Sequence, residues 1–531
     1  MRVGGRFLMS VGVVACLSCT SSGSADASFA CRTSSECAEG FACGLGTCVP
    51  LSRFTPDGGL LGEDGGLLEL LRAAPTRGPV GTLVTLTGVE LSKSAVIDVG
   101  GARALVVGRN AGGLLVMVMP GSASGALTAT ERGTTFSTAE GFVVTPTGVP
   151  AMGGPKLVGT GASGPSSQGI SVALSAGGDT ALVGGWNDDG NAGAAWVWAK
   201  TDGGWSQQGP KLVGSGASGP ASQQGRAVAL SADGNTALVG GLYDVPNIGT
   251  GAAWVFTRRE GVWSQQGEKL VPIDSSFHAV AFGGALALSA DGDTALISGA
   301  GDMNPRGSAW IFTRTDGVWS QQGKLFNDDG TSTYFGSSVA LSADGTTALI
   351  GSHGDLGYRG GAWVWVKTAQ GWRVQGPKLT FSPPVEGVVF GFSTALSADG
   401  NTAAVGAYRD DNNTGSVVVF TRTGEAWAQQ GAKLVASDAT PGANQGSGVA
   451  LSADGTTLLL GAENDSGGTG AAWIFVREAG AWTQRAKLVG ADGLGVRQGY
   501  GVALSADGRT AVSGGRADNG GVGATWVFTA P

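Results

Sequence analysis

Histidine is nearly absent: the 531 residues hold two, His278 and His353. A His-centred zinc or acid–base site is therefore hard to assemble. Cysteine is missing after position 48, which excludes a thiol nucleophile from the long C-terminal part. Charged residues make up only 14% and the net charge is −8, so there is no basic footprint for nucleic acid. Beyond the N-terminus no run of 18 apolar residues could span a bilayer. Glycine is what abounds, 96 residues without a Gly-X-Y period. At that level, between alternating apolar runs, it predicts many short strands and tight turns.

Residues 1–19 read as an export signal. Arg2 and Arg6 supply positive charge, and Phe7 to Ala15 is an apolar core too short to cross a membrane. Val13-Val14-Ala15-Cys16 resembles a bacterial lipobox, whose cysteine carries the lipid. Cys19 is the alternative, because lipidating Cys16 leaves Cys19 unpaired. Either way the expectation is an exported protein held at the cell envelope by an N-terminal lipid, or a secreted one if the signal is simply removed. Cys31, Cys37, Cys43 and Cys48 follow at C-x5-C-x5-C-x4-C, which in an exported chain predicts two disulfides within 20–50. Three pairings are open. Residues 51–73, rich in Gly, read as a linker with a short helical turn near Leu67–Leu71.

Over 74–147 the texture alternates as half-buried strands do, and six short strands predict a small sandwich. Gly81-Thr82, Thr85-Leu86-Thr87-Gly88, Val99-Gly100-Gly101, Met119-Pro120 and Phe142-Val143-Val144 resemble the IPT/TIG immunoglobulin-like family. The resemblance implies a spacer or interaction module.

From 154 to 531 one phrase recurs. The alanine opening A-L-S-A-D-G or its variants falls at Ala173, Ala229, Ala287, Ala340, Ala395, Ala450 and Ala503, which number the repeats one to seven. A period near 55 signals one supersecondary unit in an array. Each copy reads as four strands: an apolar run before an Asp-Gly turn, "TALVGG", "GAAWVFT" and "VWSQQGEKLV" in repeat two. That is a propeller blade, and seven of them predict a closed ring. The last repeat lacks its fourth strand, and the missing K-L-V stands before the first, at Lys156-Leu157-Val158. The N-terminal strand is thus expected to complete the last sheet.

The repeats resemble FG-GAP repeats of integrin-like propellers. Phe282-Gly283, Phe335-Gly336 and Phe390-Gly391 carry the FG, and Gly406-Ala407 and Gly461-Ala462 the start of GAP. Gln168, Gln224, Gln445 and Gln498 replace the phenylalanine elsewhere. The resemblance would imply calcium loops, but Ser-Ala-Asp-Gly supplies a single carboxylate, so no metal or other cofactor is carried over. Asp233 and its equivalents read as turn residues.

Fifteen residues after each marker stands an aspartate: Asp188, Asp244, Asp302, Asp355, Asp410, Asp465 and Asp518. These corners share an end with the variable connectors from strand four to the next repeat, where binding is usually placed. The expected ligand face is therefore this acidic ring, with loop shaping by hydrogen bonds to each corner's own amides as the simpler role. Trp196, Trp254, Trp310, Trp363, Trp473 and Trp526 recur in the third strand, with Val418 in repeat five, and are expected in the core.

The reading is all-β: a seven-bladed propeller, an Ig-like sandwich and a small disulfide-rich segment. The expected function is binding or adhesion by a monomer, toward a protein or carbohydrate and without catalysis. A hydrolase or lyase built on carboxylates, for which Tyr358-Arg359 and Arg409-Asp410-Asp411 could be tested, and a structural envelope protein are the alternatives.

Overall fold

The computed structural model describes residues 41–44, 47–50 and 71–531, except 111, 220, 245–249, 277–279, 304–305, 328–332, 384 and 493–494. The export signal, Cys16, Cys19, Cys31, Cys37, the expected turn at 67–70 and His278 lie outside the described residues. Phe41–Gly44 and Thr47–Pro50 pair as an antiparallel hairpin, with Cys43 opposite Cys48 in the register. The chain divides into two compact units, one holding most of the residues up to Val144 and the other running from Thr145 to Pro531 together with 79–83 and 117–120.

Residues 71–144 contain ten strands, not six. Two four-stranded sheets form, one from Arg72–Ala74, Leu83–Thr87, Gly113–Met117 and Leu105–Asn110, the other from Thr134–Ser137, Leu127–Glu131, Val96–Val99 and Ala102–Arg103. In Leu83–Thr87 the apolar Val84 and Leu86 are buried while the threonines between them are half-exposed. Such alternation marks a sheet with one covered face. Arg72 and Ala73 pair with Thr87 and Leu86, so strand structure starts inside the expected linker. Leu71, just before them, is buried and forms a parallel bridge to Thr138.

The second unit repeats one antiparallel four-stranded sheet. Repeat two shows the pattern: Gln224–Leu230, Thr236–Gly241, Ala252–Arg259 and Val262–Gln265 pair in sequence order. Every residue of Thr236–Gly241 is buried, whereas Val262–Gln265 alternates exposed and half-buried. The inner strands are thus covered on both faces and the outer strand on one. Gly240 lets this happen, because a Cβ there would come within 2.1 Å of the Gly283 carbonyl in the next sheet. Gly234 closes the first hairpin at φ +68°, a conformation glycine adopts without steric cost.

Seven apolar clusters hold the sheets together, each built from two consecutive repeats. One joins Val512 and Val527 of repeat seven to Val183 and Trp196 of repeat one. Met152–Leu157 pairs antiparallel with Ala524–Thr529, which is where the missing fourth strand was expected. The S-A-D-G turns add a further tie. The alanine N–H of each turn donates to the alanine carbonyl of the next: Ala176 to Ala232, then Ala290, Ala343, Ala398, Ala453, Ala506 and back to Ala176, at 2.8–3.0 Å. Four-stranded antiparallel sheets repeated in this way fit a β-propeller.

Candidate functional site

The seven aspartates are the natural starting point, and the structure turns them inward. Asp188, Asp244, Asp302, Asp355, Asp410, Asp465 and Asp518 are all buried. Each meets the lysine of a K-L motif on or a few residues after a fourth strand: Lys211, Lys269, Lys324, Lys378, Lys433, Lys487 and, for Asp518, Lys156 from the N-terminal strand. The spacing of Lys324 from Asp302 is 2.7 Å and that of Lys487 from Asp465 is 2.8 Å. In four of them the second carboxylate oxygen accepts a backbone N–H from the preceding connector: Ser163 to Asp188 (2.7 Å), Ser218 to Asp244 (2.9 Å), Ser276 to Asp302 (2.7 Å) and Thr440 to Asp465 (2.8 Å). The partner amide thus belongs to the connector, not to the corner itself. Burial pushes the Asp302 carboxyl up, but bonds from Lys324, Ser308 and Ser276 outweigh it and leave it below the usual range. The same balance lowers Asp465. These carboxylates lock corner, connector and outer strand together, and present no acidic ring to solvent. No group of three or more His, Cys, Asp or Glu that could hold a metal ion occurs among the described residues.

The third-strand tryptophans are buried as well. Their indole N–H groups reach the connectors: Trp196 to the Thr160 carbonyl (2.9 Å), Trp254 to Ser215 (2.8 Å), Trp310 to Asp274 (2.7 Å). Lys324 and Lys487 lie over the rings of Trp310 and Trp473 at 5.2 and 4.9 Å. Lysine, aspartate and tryptophan therefore form one repeated structural cluster. The spacing of Lys 22–25 residues after Asp in repeats one to six was the available sequence signal for it.

What breaks the repetition lies on the same end of the sheets. Corners and connectors meet there, as in the hydrogen bonds from Asp189 N–H to the Ser163 carbonyl and from Asn187 to Ser166. From the corner of repeat two to the connector before repeat five, Tyr243, Ile273, Met303, Phe326, Tyr334, Leu356, Tyr358 and Val385 are exposed. On the remaining arc, the large exposed apolar side chains of the described corners and connectors are only valines following K-L, such as Val435 and Val489. Arg359 on this face pairs with Glu386 (2.7 Å), and Arg409 lies 5.5 Å over the Tyr408 ring.

Beside this arc the first strands of all seven repeats surround an axial cavity of about 400 Å³. His353 lies at its wall, stacked on Tyr334 at 5.1 Å and edge-on to Phe392 at 6.0 Å. Burial, then the charge of Arg409, lowers its pKa, so the imidazole is neutral at pH 7. Phe392 leads on to Tyr408 (4.4 Å) and Tyr500 (6.3 Å). The chain has five tyrosines, Tyr243, Tyr334, Tyr358, Tyr408 and Tyr500, and all lie at this end. That scarcity is a signal legible in the sequence, although it lies outside the repeat.

The family model described as FG-GAP repeat matches residues 319–364, 374–420 and 427–475. Each match runs from a fourth strand into the third strand of the next repeat, so the sequence motif is offset from the sheet by one strand. Among solved structures, the chain is similar to Kuenenia stuttgartiensis hydrazine synthase at 15% identity and a TM-score of 0.45, over 70% of this chain and 97% of that one. No curated protein matches it.

Proposed function

We propose that this is an exported binding protein, anchored at the bacterial envelope through Cys16, in which an IPT/TIG-like module carries a seven-bladed propeller. The lipobox-like start and the cysteine pattern support export, and FG-GAP repeats occur in extracellular proteins. The binding surface is the exposed apolar crescent running from the corner of repeat two to the connector before repeat five. Its asymmetry is the observation that carries the reading, because apolar side chains exposed together on a rigid scaffold mark an interaction site. Half of the crescent is aliphatic, Ile273, Met303, Leu356 and Val385, beside Tyr243, Phe326, Tyr334 and Tyr358, and that mixture supports a protein partner. The pairing of every ring aspartate with lysine supports binding over carboxylate catalysis.

The test uses equivalent positions. A photo-crosslinking residue replaces Leu356 in the crescent or Asn519 at the matching corner of repeat seven, in the full chain expressed in its own host. A discrete protein adduct at 356 and none at 519 is expected; equal labelling would sink the crescent. In the same cells, fatty-acid labelling lost in Cys16→Ser supports the anchor, and labelling lost only in Cys19→Ser moves it.

A further inference from the structure

We infer that the axial cavity binds a small aromatic carboxylate, with the carboxylate on Arg226 and the ring against Phe392 and Tyr500. This is separate from partner docking on the crescent and does not depend on it.

The argument starts from one position. The residue two after each Gln or Phe is Ile170, Arg226, Gly284, Ser337, Phe392, Ser447 and Tyr500 in repeats one to seven. All seven line the cavity. The residue before each of them is an invariant glycine, and a few residues later come the conserved apolar strand and the Ser-Ala-Asp-Gly turn in nearly every repeat. A position that only packed the ring would repeat as its neighbours do. Here the sevenfold pattern yields six residue types, with Arg226, Phe392, Tyr500 and the aliphatic Ile170 standing among three small residues.

Their arrangement is a row. Phe392 lies 6.3 Å from Tyr500, and the Arg226 guanidinium lies 5.9 Å over the Tyr500 ring with a 3.4 Å contact to its hydroxyl. In ring order Gly284 and Ser337 separate Arg226 from Phe392, so the collar is open between cation and phenyl. The chain is acidic overall, yet no Asp or Glu is among the described residues lining this cavity. The half-buried Arg226 makes no ion pair within 4.0 Å among the described residues, unlike Arg516, which also lies over Tyr500 but is held by Glu463 at 2.7 Å. A planar guanidinium without a carboxylate partner is suited to a bidentate carboxylate. The rest of the wall, with Val172, Val228, Leu286 and Val449, suits an apolar body. A volume of about 400 Å³ holds a ligand of one or two rings.

The measurement is ligand-observed NMR and calorimetry on the full chain. The probes are benzoate, phenylacetate, 4-hydroxybenzoate, cinnamate and indole-3-carboxylate, each beside its primary amide. At least one carboxylate should bind, at least tenfold more tightly than its amide. Arg226→Ile and Phe392→Ser, which install residues already present at the same position in repeats one and four, should each weaken it at least tenfold. Unchanged melting of these variants separates lost binding from lost folding. Absence of binding by every probe at millimolar concentration, equal binding of amides, or undiminished binding by Arg226→Ile would overturn the proposal. Crosslinking at position 356 would be untouched by any of these results.

Discussion

Repeats three to five and the remaining four solve the same packing problem in two ways. In the first arc a phenyl fills the space beneath the connector: Phe282 sits edge-on to Trp310 at 5.5 Å and Phe335 to Trp363 at 5.6 Å. In the second arc a buried glutamine clamps the connector backbone. Gln224 accepts the Gly214 N–H at 2.6 Å and returns a bond to its carbonyl at 3.1 Å, and Gln168 does the same with Gly159. The residue after K-L-x follows the choice: Gly159, Gly214, Ala436 and Gly490 with glutamine, but Pro272, Asn327 and Phe381 with phenylalanine. A Cβ at Gly214 would come within 2.1 Å of the Trp254 ring, so the clamp needs a connector pressed close to the tryptophan. The phenyl arc is free of that requirement, and its connectors carry half of the exposed apolar crescent, Ile273, Phe326, Tyr334 and Val385. Directional bonding fixes a loop's path; apolar filling leaves its sequence free to vary.

The largest effect should fall on what the arcs share. Lys324→Met and Lys487→Met each leave a buried carboxylate without its cation, one in each arc. Each should cost ~3–5 kcal/mol in denaturant unfolding. Similar losses are expected. A clear inequality would mean the arcs differ below the connectors too.

The next test targets the difference itself. Gln224→Leu strands a buried backbone N–H and should cost ~1–3 kcal/mol. Phe335→Leu keeps the apolar filling and loses mainly the aromatic edge contact, about 0.5–1.5 kcal/mol. Unfolding midpoints rank the two. If Phe335→Leu proved costlier, the phenyl would be as exacting as the amide, and the account of connector freedom would fail.

This contrast also shows what was legible. The repeat marker, the four-strand pattern and the displaced K-L-V strand are local patterns, and the hairpins and the pairing of Met152–Leu157 follow them. The aspartates were found by their recurrence and their loop-shaping role was read from it, but their partners, the connector amide and the lysine, were not. Recurrence reports that a residue matters and says nothing of whether its partner is solvent, a cation or a lysine 23 residues on. The residue before each Gln or Phe is equally opaque. Ser167, Gln223, Ala281, Tyr334, Val389, Asn444 and Arg497 all have φ between +53° and +62°, yet none is glycine. Tertiary bonding imposes that conformation, so no local propensity announces it. The variable connectors marked the end where the crescent lies, but its apolar side chains and the collar were not read, for the opposite reason: they are where the repeat stops repeating.

A smaller effect should separate the arcs by pH. His353 belongs to the phenyl arc, and its folded pKa lies below the ordinary 6.5. The unfolded chain therefore binds more protons between the two values, and stability falls as pH drops through that window. Hydrogen exchange at Thr347–Ser352, corrected for intrinsic rate, should quicken from pH 7 to pH 5, and Thr457–Ala462 in the glutamine arc should not follow. His353→Phe, which keeps a ring against Tyr334, should remove the difference. Asp302 and Asp465 act lower, their stabilisation being lost only as pH falls below the ordinary carboxylate range.

Calcium should have the smallest effect, none in either arc. Each ring aspartate already has its lysine, and Asp233 in the first hairpin is held by Ser231 Oγ at 2.6 Å and the Asn235 N–H at 2.9 Å. A cation would have to displace bonds the fold has made, with far fewer oxygens than calcium needs. Thermal unfolding of the full chain should give one midpoint with excess calcium and with chelator, whereas a ligand at a hundredfold excess over its Kd would add ~2.7 kcal/mol. The place to look for an exception is repeat five. Lys433 is 41% exposed, against 10–25% for the other six lysines, and Asp411 adjoins Asp410. A midpoint rise abolished by Asp410→Asn alone would show Lys433 giving way to a cation there, and would put a metal site in the phenyl arc after all.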